Sequence, residues 1–179
     1  CDFMIRLQLP LSKEVIRSLK AGEQYYLCGV VYTARDAAHK RLQELYDAKK
    51  PLPITVEGQT IYYVGPSQTA PGKIYGSAGP TTSTRMDAYM DMMCDLKMQA
   101  CIGKGKRSEH VKELFREKEV IYFVTIGGLG ALLQNCVRQV EEVAFEDLGA
   151  EKISRLTIED FPVFVGYDVY GGDIYDSGK

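Results

Sequence analysis

YYLCGVVYTARDAAHKRLQELYDA, residues 25–48, joins two patterns that belong to different kinds of backbone. Residues 25–34 are nearly all apolar, the pattern of a strand covered on both faces. Residues 35–48 carry a helical pattern closed by Lys49-Lys50-Pro51. A buried strand running straight into a helix marks an α/β arrangement. It also places Thr33-Ala34-Arg35-Asp36 at a strand end that meets a helix start, where ligands gather in such folds.

The remaining segments extend this pattern on both sides. Residues 3–9, FMIRLQL, alternate as a strand, and Ser12 caps a short helix whose apolar face is Val15, Ile16 and Leu19, ended at Ala21-Gly22. ITVEGQTIYYVG, residues 54–65, predicts a hairpin turning at Glu57-Gly58-Gln59. In the helix read from Arg85 onward, Met86, Tyr89, Met90, Met93 and Met98 form a methionine stripe suited to core or interface packing. ACIGKGKRSEH is a glycine-rich connection. Ser108 then caps a helix with Val111, Leu114 and Phe115 on its inner face. Residues 120–133 read as strand, glycine turn and helix. Residues 140–145 and 156–170 read as strand, the second stretch broken at Pro162. Helices and strands alternate, with a hairpin in the middle and strand at both ends, so a mixed sheet is expected in one α/β domain over residues 1–179.

With 179 residues and a net charge of −2, the composition is that of an ordinary globular protein and favours neither nucleic acid nor an anionic membrane as partner. No apolar run approaches the roughly 18 residues needed to cross a bilayer. No signal-peptide pattern is visible. Five cysteines (Cys1, Cys28, Cys94, Cys101 and Cys136) form an odd set without CxxC spacing. That argues for reduced thiols in a cytoplasmic protein and against a zinc site or disulfide framework.

The candidate chemistry sits on loops. GSAGPTTSTRM, residues 76–86, packs small residues and hydroxyls ahead of one arginine at a helix start, which suits either a seat for a small anion or a polar turn. Arg35 offers a forked donor for a carboxylate, or an exposed cation paired with Asp36 or Glu44. His39, one turn later on the same face, could orient Arg35 or a substrate carboxylate, or be structural. His110 reads as a surface residue. Gly103-Lys104-Gly105-Lys106 lets backbone approach a ligand while an ammonium reaches inward, but it is not a phosphate-binding GxxxxGK[ST] loop. Gly127-Gly128-Leu129-Gly130 lacks the GxGxxG spacing of a dinucleotide fingerprint and reads as a tight turn. Two arginines and a lysine on glycine-bearing loops, with threonines between them, suit a small dicarboxylate better than a nucleotide.

Residues 33–39, TARDAAH, with GPTTSTRM, then GKG, then AFEDLGAEKISRLTIEDFPVFVGYD at 144–168, closely resemble the β subunit of class I fumarate hydratases. The same unit is the C-terminal domain of the single-chain enzymes and has a counterpart in L-tartrate dehydratase. The resemblance spans almost the whole chain in the same order. It implies a swivelling β/β/α domain and a hydro-lyase interconverting malate and fumarate. It also implies a [4Fe-4S] cluster held by three cysteines of a partner α subunit, not by this chain, with one iron open as a Lewis acid. Carried over by position, Arg35 and Arg85 look like clamps for substrate carboxylates and Lys104 like a third cation. Thr82 and the Gly79 backbone are further donors. Thr81 matches the threonine proposed as the base beside the carboxylate. A neutral threonine is a poor base, so that role needs a carboxylate nearby or is one of relay or orientation. The alternatives are the β subunit of L-tartrate dehydratase and, from another class, a non-catalytic dicarboxylate-binding or interaction module.

Overall fold

The computed structural model describes residues 5–125 and 130–176. Its centre is the strand–helix unit read first from the sequence: β2 (Gln24–Thr33) ends two residues before Arg35, the N-cap of α2 (Asp36–Asp47). β1 (Arg6–Gln8) precedes it, followed by α1 (Lys13–Ser18), whose N-cap Ser12 accepts from Val15 N–H as expected. After α2 come β3 (Thr60–Tyr62), a 3₁₀ segment (Ser83–Tyr89), α3 (Met90–Asp95) and β4 (Ala100–Gly103). α4 (Glu109–Lys118) starts at its cap Ser108, again as expected, and β5 (Ile121–Val124) follows. Then come α5 (Gly130–Gln134), β6 (Val137–Ala144), a second 3₁₀ segment (Glu146–Glu151) and β7 (Ile153–Tyr167).

These strands form one mixed seven-stranded sheet in the order β1-β2-β3-β4-β5-β7-β6. β1 to β5 are parallel neighbours, while β7 runs antiparallel to β2, β5 and β6. Because β7 pairs with both β2 and β5, the pairing β2–β3–β4–β5–β7 returns to β2 and closes a ring. Alternate residues serve two cores. Leu27, Val31, Tyr62, Ile102, Phe123, Leu156 and Val163 belong to one, joined by Ile16 of α1, its C-cap Leu19 and Leu133 of α5. Ile61, Tyr63, Cys101 and Tyr122 belong to the other, packed against α2, α3 and α4. Met86, Met90, Met92, Met93 and Met98 are all buried in this second core, so the methionine stripe is packing.

Four expectations need correction. The hairpin does not form: Ile54, Thr55 and Val56 are not strand, and β3 lies parallel between β2 and β4. A strand that follows a helix crossover enters a sheet parallel to the strand before the helix. Val56 is apolar because it packs in the second core, while Gly58 (φ 74) turns the chain and Gln59 N–H donates to Val56 C=O. Ala100–Gly103 is a fully buried strand, so the glycine-rich connection begins only at Lys104. β2 is buried through Leu27, Val31 and Thr33, whereas Tyr26, Cys28, Val30 and Tyr32 on the opposite face are half-covered. Finally, Pro162 does not break β7. It pairs with Tyr26, whose own N–H points away to Ile5 C=O. On its other edge β7 has left β6 at Ile158 and not yet met β5 at Phe164. The missing N–H of proline therefore costs no ladder bond there.

Candidate carboxylate-binding site

The register Thr33↔Tyr62, Tyr62↔Ile102 and Ile102↔Phe123 aligns the C-terminal ends of four parallel strands. The residues just beyond them, Arg35, Tyr63 to Gly65, Lys104 and Thr125, therefore emerge along one edge. This is the edge where α/β sheets place their ligands.

Arg35 caps α2 in extended conformation (φ −110, ψ −160) and makes no side-chain cap. Its guanidinium lies over Gly65, where a Cβ would stand 2.8 Å from Arg35 Cδ and 2.9 Å from Nη1. A side chain there would push the Arg35 guanidinium aside. The second 3₁₀ segment closes the other side: Glu151 accepts from Ala37 N–H at 3.0 Å, and Thr33 Oγ1 donates to Lys152 C=O while accepting from Ser154 N–H. Asp36 then joins both arginines. Its Oδ1 is 3.9 Å from Arg35 Nε, and its Oδ2 is 2.9 Å from Arg85 Nη2. Two like charges from distant parts of the chain thus meet on one carboxylate.

The hydroxyl-rich loop is held on the neighbouring strand ends. Thr81 N–H donates to Tyr63 C=O at 2.8 Å, Tyr62 OH donates to Ala78 C=O, and Ala78 N–H donates to Gly130 C=O. Thr82 and Lys104 form an isolated parallel bridge. Next to it, Ser83 N–H donates to Lys104 C=O, and Lys104 N–H donates to Ser83 Oγ at 3.0 Å. A Cβ on Gly103 would overlap Ser83 Oγ, which explains the glycine before the lysine. Thr81 is half-buried, while Gly79, Thr82 and the Lys104 side chain are exposed. One expectation changes here. The loop enters a seven-residue 3₁₀ segment rather than an α-helix, so its donors are individual N–H groups and hydroxyls, not an α-helix end.

His39 lies beneath this edge, at 0% exposure, and reaches Arg35 through its backbone: Nδ1–H donates to the Arg35 carbonyl at 2.9 Å. Its ring stacks on Tyr89 and meets Tyr63 edge-on. Burial is the main cause that lowers its pKa from 6.5 to about 4, so the ring is neutral. In that tautomer Nε2 is a buried acceptor without a partner among the described residues. The unfolded chain takes up this proton below pH 6.5 and the folded chain only near 4. Stability from this group is therefore complete above 6.5 and falls as pH drops through that window, by about 3 kcal/mol at most. His39→Phe should flatten that part of the pH dependence, read as the melting midpoint from pH 7 to pH 4. An unchanged acid slope would assign it to other groups.

Three participants escaped sequence reasoning: Gly65, Glu151 and Arg107. The first two carry no local signal, because their partners lie far along the chain. Arg107 sits beside two exposed lysine positions, yet its side chain is 0% exposed. It donates to Asp87 from Nε at 2.6 Å and to Tyr63 OH from Nη2 at 3.2 Å, and it lies over the rings of Tyr63, Phe115 and Tyr122. Tyr122 OH in turn lies 2.7 Å from Ser83 Oγ, so this buried cation underlies the Ser83–Lys104 contact. His110 is exposed beside Asp91, as read. The glycine turn at 127–130 falls mostly outside the described residues, as do Cys1 and residues 177–179. Among the described residues no helix is long and apolar enough to cross a membrane.

The described residues do not fit an iron–sulfur cluster as ligands. No three of His, Cys, Asp and Glu come together among them, and burial raises the Cys94 thiol to about 12 and the Cys101 thiol above its usual range.

Comparison with known proteins places these features in a family. The model described as Fumarase C-terminus matches residues 2–178. Fumarate hydratase 2 of Leishmania major is 35% identical over 175 residues, 96% of this chain and 31% of that protein. The anaerobic class I fumarate hydratase of Escherichia coli is 37% identical over 168 residues, 91% of this chain and 31% of that protein. A Methanocaldococcus jannaschii protein named "Putative L(+)-tartrate dehydratase subunit beta" is 34% identical over 172 residues, covering 93% of this chain and 88% of that protein. The chain thus spans under a third of the length of these two fumarate hydratases and most of the length of the separate subunit.

Proposed function

The chain belongs to the fumarase C-terminus family, and on that premise we propose that it is the β subunit of a hydro-lyase that hydrates fumarate to L-malate. In this reading residues 1–179 form one cytoplasmic domain of the swivelling β/β/α type. It closes over substrate held by an α subunit that carries the [4Fe-4S] cluster. The carrying observation is the convergence of Arg35 and Arg85 on one carboxylate at the strand edge that also bears Thr81 and Lys104.

Each residue then has a defined task. Arg35 and Arg85 present planar forks to a substrate carboxylate, and Lys104 adds a compact positive charge. Thr82 Oγ1 and the Gly79 N–H donate further hydrogen bonds. Dehydration of malate removes a hydroxyl from one carbon and a proton from its neighbour. In this reading Thr81 Oγ1 takes part in moving that proton, and a partner carboxylate is required to accept it onward. His39 holds the Arg35 backbone from below and touches no substrate. A cluster held by the partner would supply Lewis-acid chemistry to this site.

A second reading has its own support. The M. jannaschii relative is a separate subunit of nearly the same extent, and its name gives tartrate as substrate. The two substrates differ by one hydroxyl, which polar contacts from the partner half could discriminate.

The test is anaerobic. The chain is mixed with the cluster-bearing α subunit from the same source, and dehydration of L-malate and L-tartrate is followed. A malate rate that needs both chains supports the hydratase, and a tartrate preference supports the second reading. Silence with an intact cluster overturns both and leaves a binding module. In the active pair, Arg85→Lys should raise KM for malate about tenfold, because the charge stays but the fork is lost. Unchanged kinetics would remove Arg85 from the site.

A further inference from the structure

We propose that Asp36 is a positioning residue of this site: it fixes Arg85 beside Arg35 and so assembles the carboxylate-binding pair. The inference rests on the reading of both arginines as substrate clamps. Arg85 stands on the outer side of the 3₁₀ segment with 53% of its side chain accessible, and among the described residues Asp36 is its one ion-pair partner. Asp36, in contrast, is rooted in the first turn of α2, a place favourable to a carboxylate, where the neighbouring Ala37 N–H is held by Glu151. A long flexible side chain is thereby tied to a rigid element.

The two oxygens of Asp36 divide the work. Oδ2 engages Arg85 at 2.9 Å, while Oδ1 faces Arg35 Nε at 3.9 Å, buried and without a hydrogen bond among the described residues. That single negative charge offsets the repulsion between two guanidinium groups. It stands beside one nitrogen of Arg85 as an ion pair and leaves most of a five-donor fork for an incoming carboxylate. A surface pair of this kind contributes little to folding. Its effect is expected in ligand capture rather than in stability.

Two measurements test the inference. In the reconstituted enzyme, Asp36→Asn should raise KM for L-malate about tenfold with kcat little changed. Combined with Arg85→Lys it should add little to the effect of either change, because both act through one contact. A purely structural Asp36 would lower kcat and the melting midpoint together, and an independent one would multiply with Arg85→Lys to about a hundredfold. Either result, or an unchanged KM, overturns the inference. The second measurement is the ¹⁵N relaxation of the Arg85 Nε–H group in the full chain alone. It should report an ordered side chain in the wild type and a mobile one in Asp36→Asn, and equal mobility in both overturns the inference. This readout needs no turnover, so it separates failure of the positioning role from failure of the hydratase reading.

Discussion

Arg107→Ala is expected to lower the unfolding free energy by about 3–5 kcal/mol, since removing one partner of a buried ion pair strands the other. For a chain of this size that is a fall of about 10 °C in melting midpoint. The Arg107 side chain has no exposure and makes three different kinds of contact at once. It pairs with Asp87, donates to Tyr63 OH, and lies against the rings of Phe115 in α4, Tyr122 in β5 and Tyr63 just beyond β3. Asp87 also accepts from Ser108 N–H, so it stays fixed at the α4 cap while its counter-charge disappears. Arg107→Lys should recover only part of the loss, because an ammonium cannot span Asp87 and Tyr63 in one plane. Thermal unfolding followed by circular dichroism measures both. A loss below about 1 kcal/mol for the alanine variant would mean that water enters and solvates Asp87.

Thr81→Val should depress kcat for malate at least a hundredfold in the reconstituted enzyme while changing KM far less, the range general acid–base groups contribute. The substitution keeps shape and removes only the hydroxyl. The backbone bond from residue 81 to Tyr63 C=O, which pins the loop, survives it. Steady-state kinetics with a parallel melting curve separates the outcomes. An unchanged kcat excludes the hydroxyl from the proton path. A fall that tracks a lowered midpoint assigns Thr81 to the loop's structure.

What the sequence reveals and what it hides divide along one physical line. Ser12 and Ser108 were legible as caps because a cap is decided within four residues. β2 and α2 were legible because their periodicities are local. The parallel placement of β3, the strand character of Ala100–Gly103 and the continuity of β7 through Pro162 depend on which strand lies alongside, and no local pattern encodes that. The site divides the same way. Arg35, Arg85, Thr81 and Lys104 stood out by residue type and by resemblance. The bridge between two of them, Asp36, reads in the sequence only as a neighbour that pairs with Arg35. Arg107 was hidden by its company, since a basic run reads as a solvated loop until one member turns inward.

The ring of strands has a consequence for biosynthesis. β7, the last strand in chain order, closes the ring by pairing with β2 and β5, and it is also the partner of β6. A nascent chain that has completed β1 to β5 holds the parallel strands but leaves one edge of β2 and one of β5 unmatched. Those edges wait until β7 leaves the ribosome, and distant pairings of this kind form slowly. During translation the apolar face formed by Leu27 and Val31 is open to other chains, so this interval is when aggregation competes most with folding.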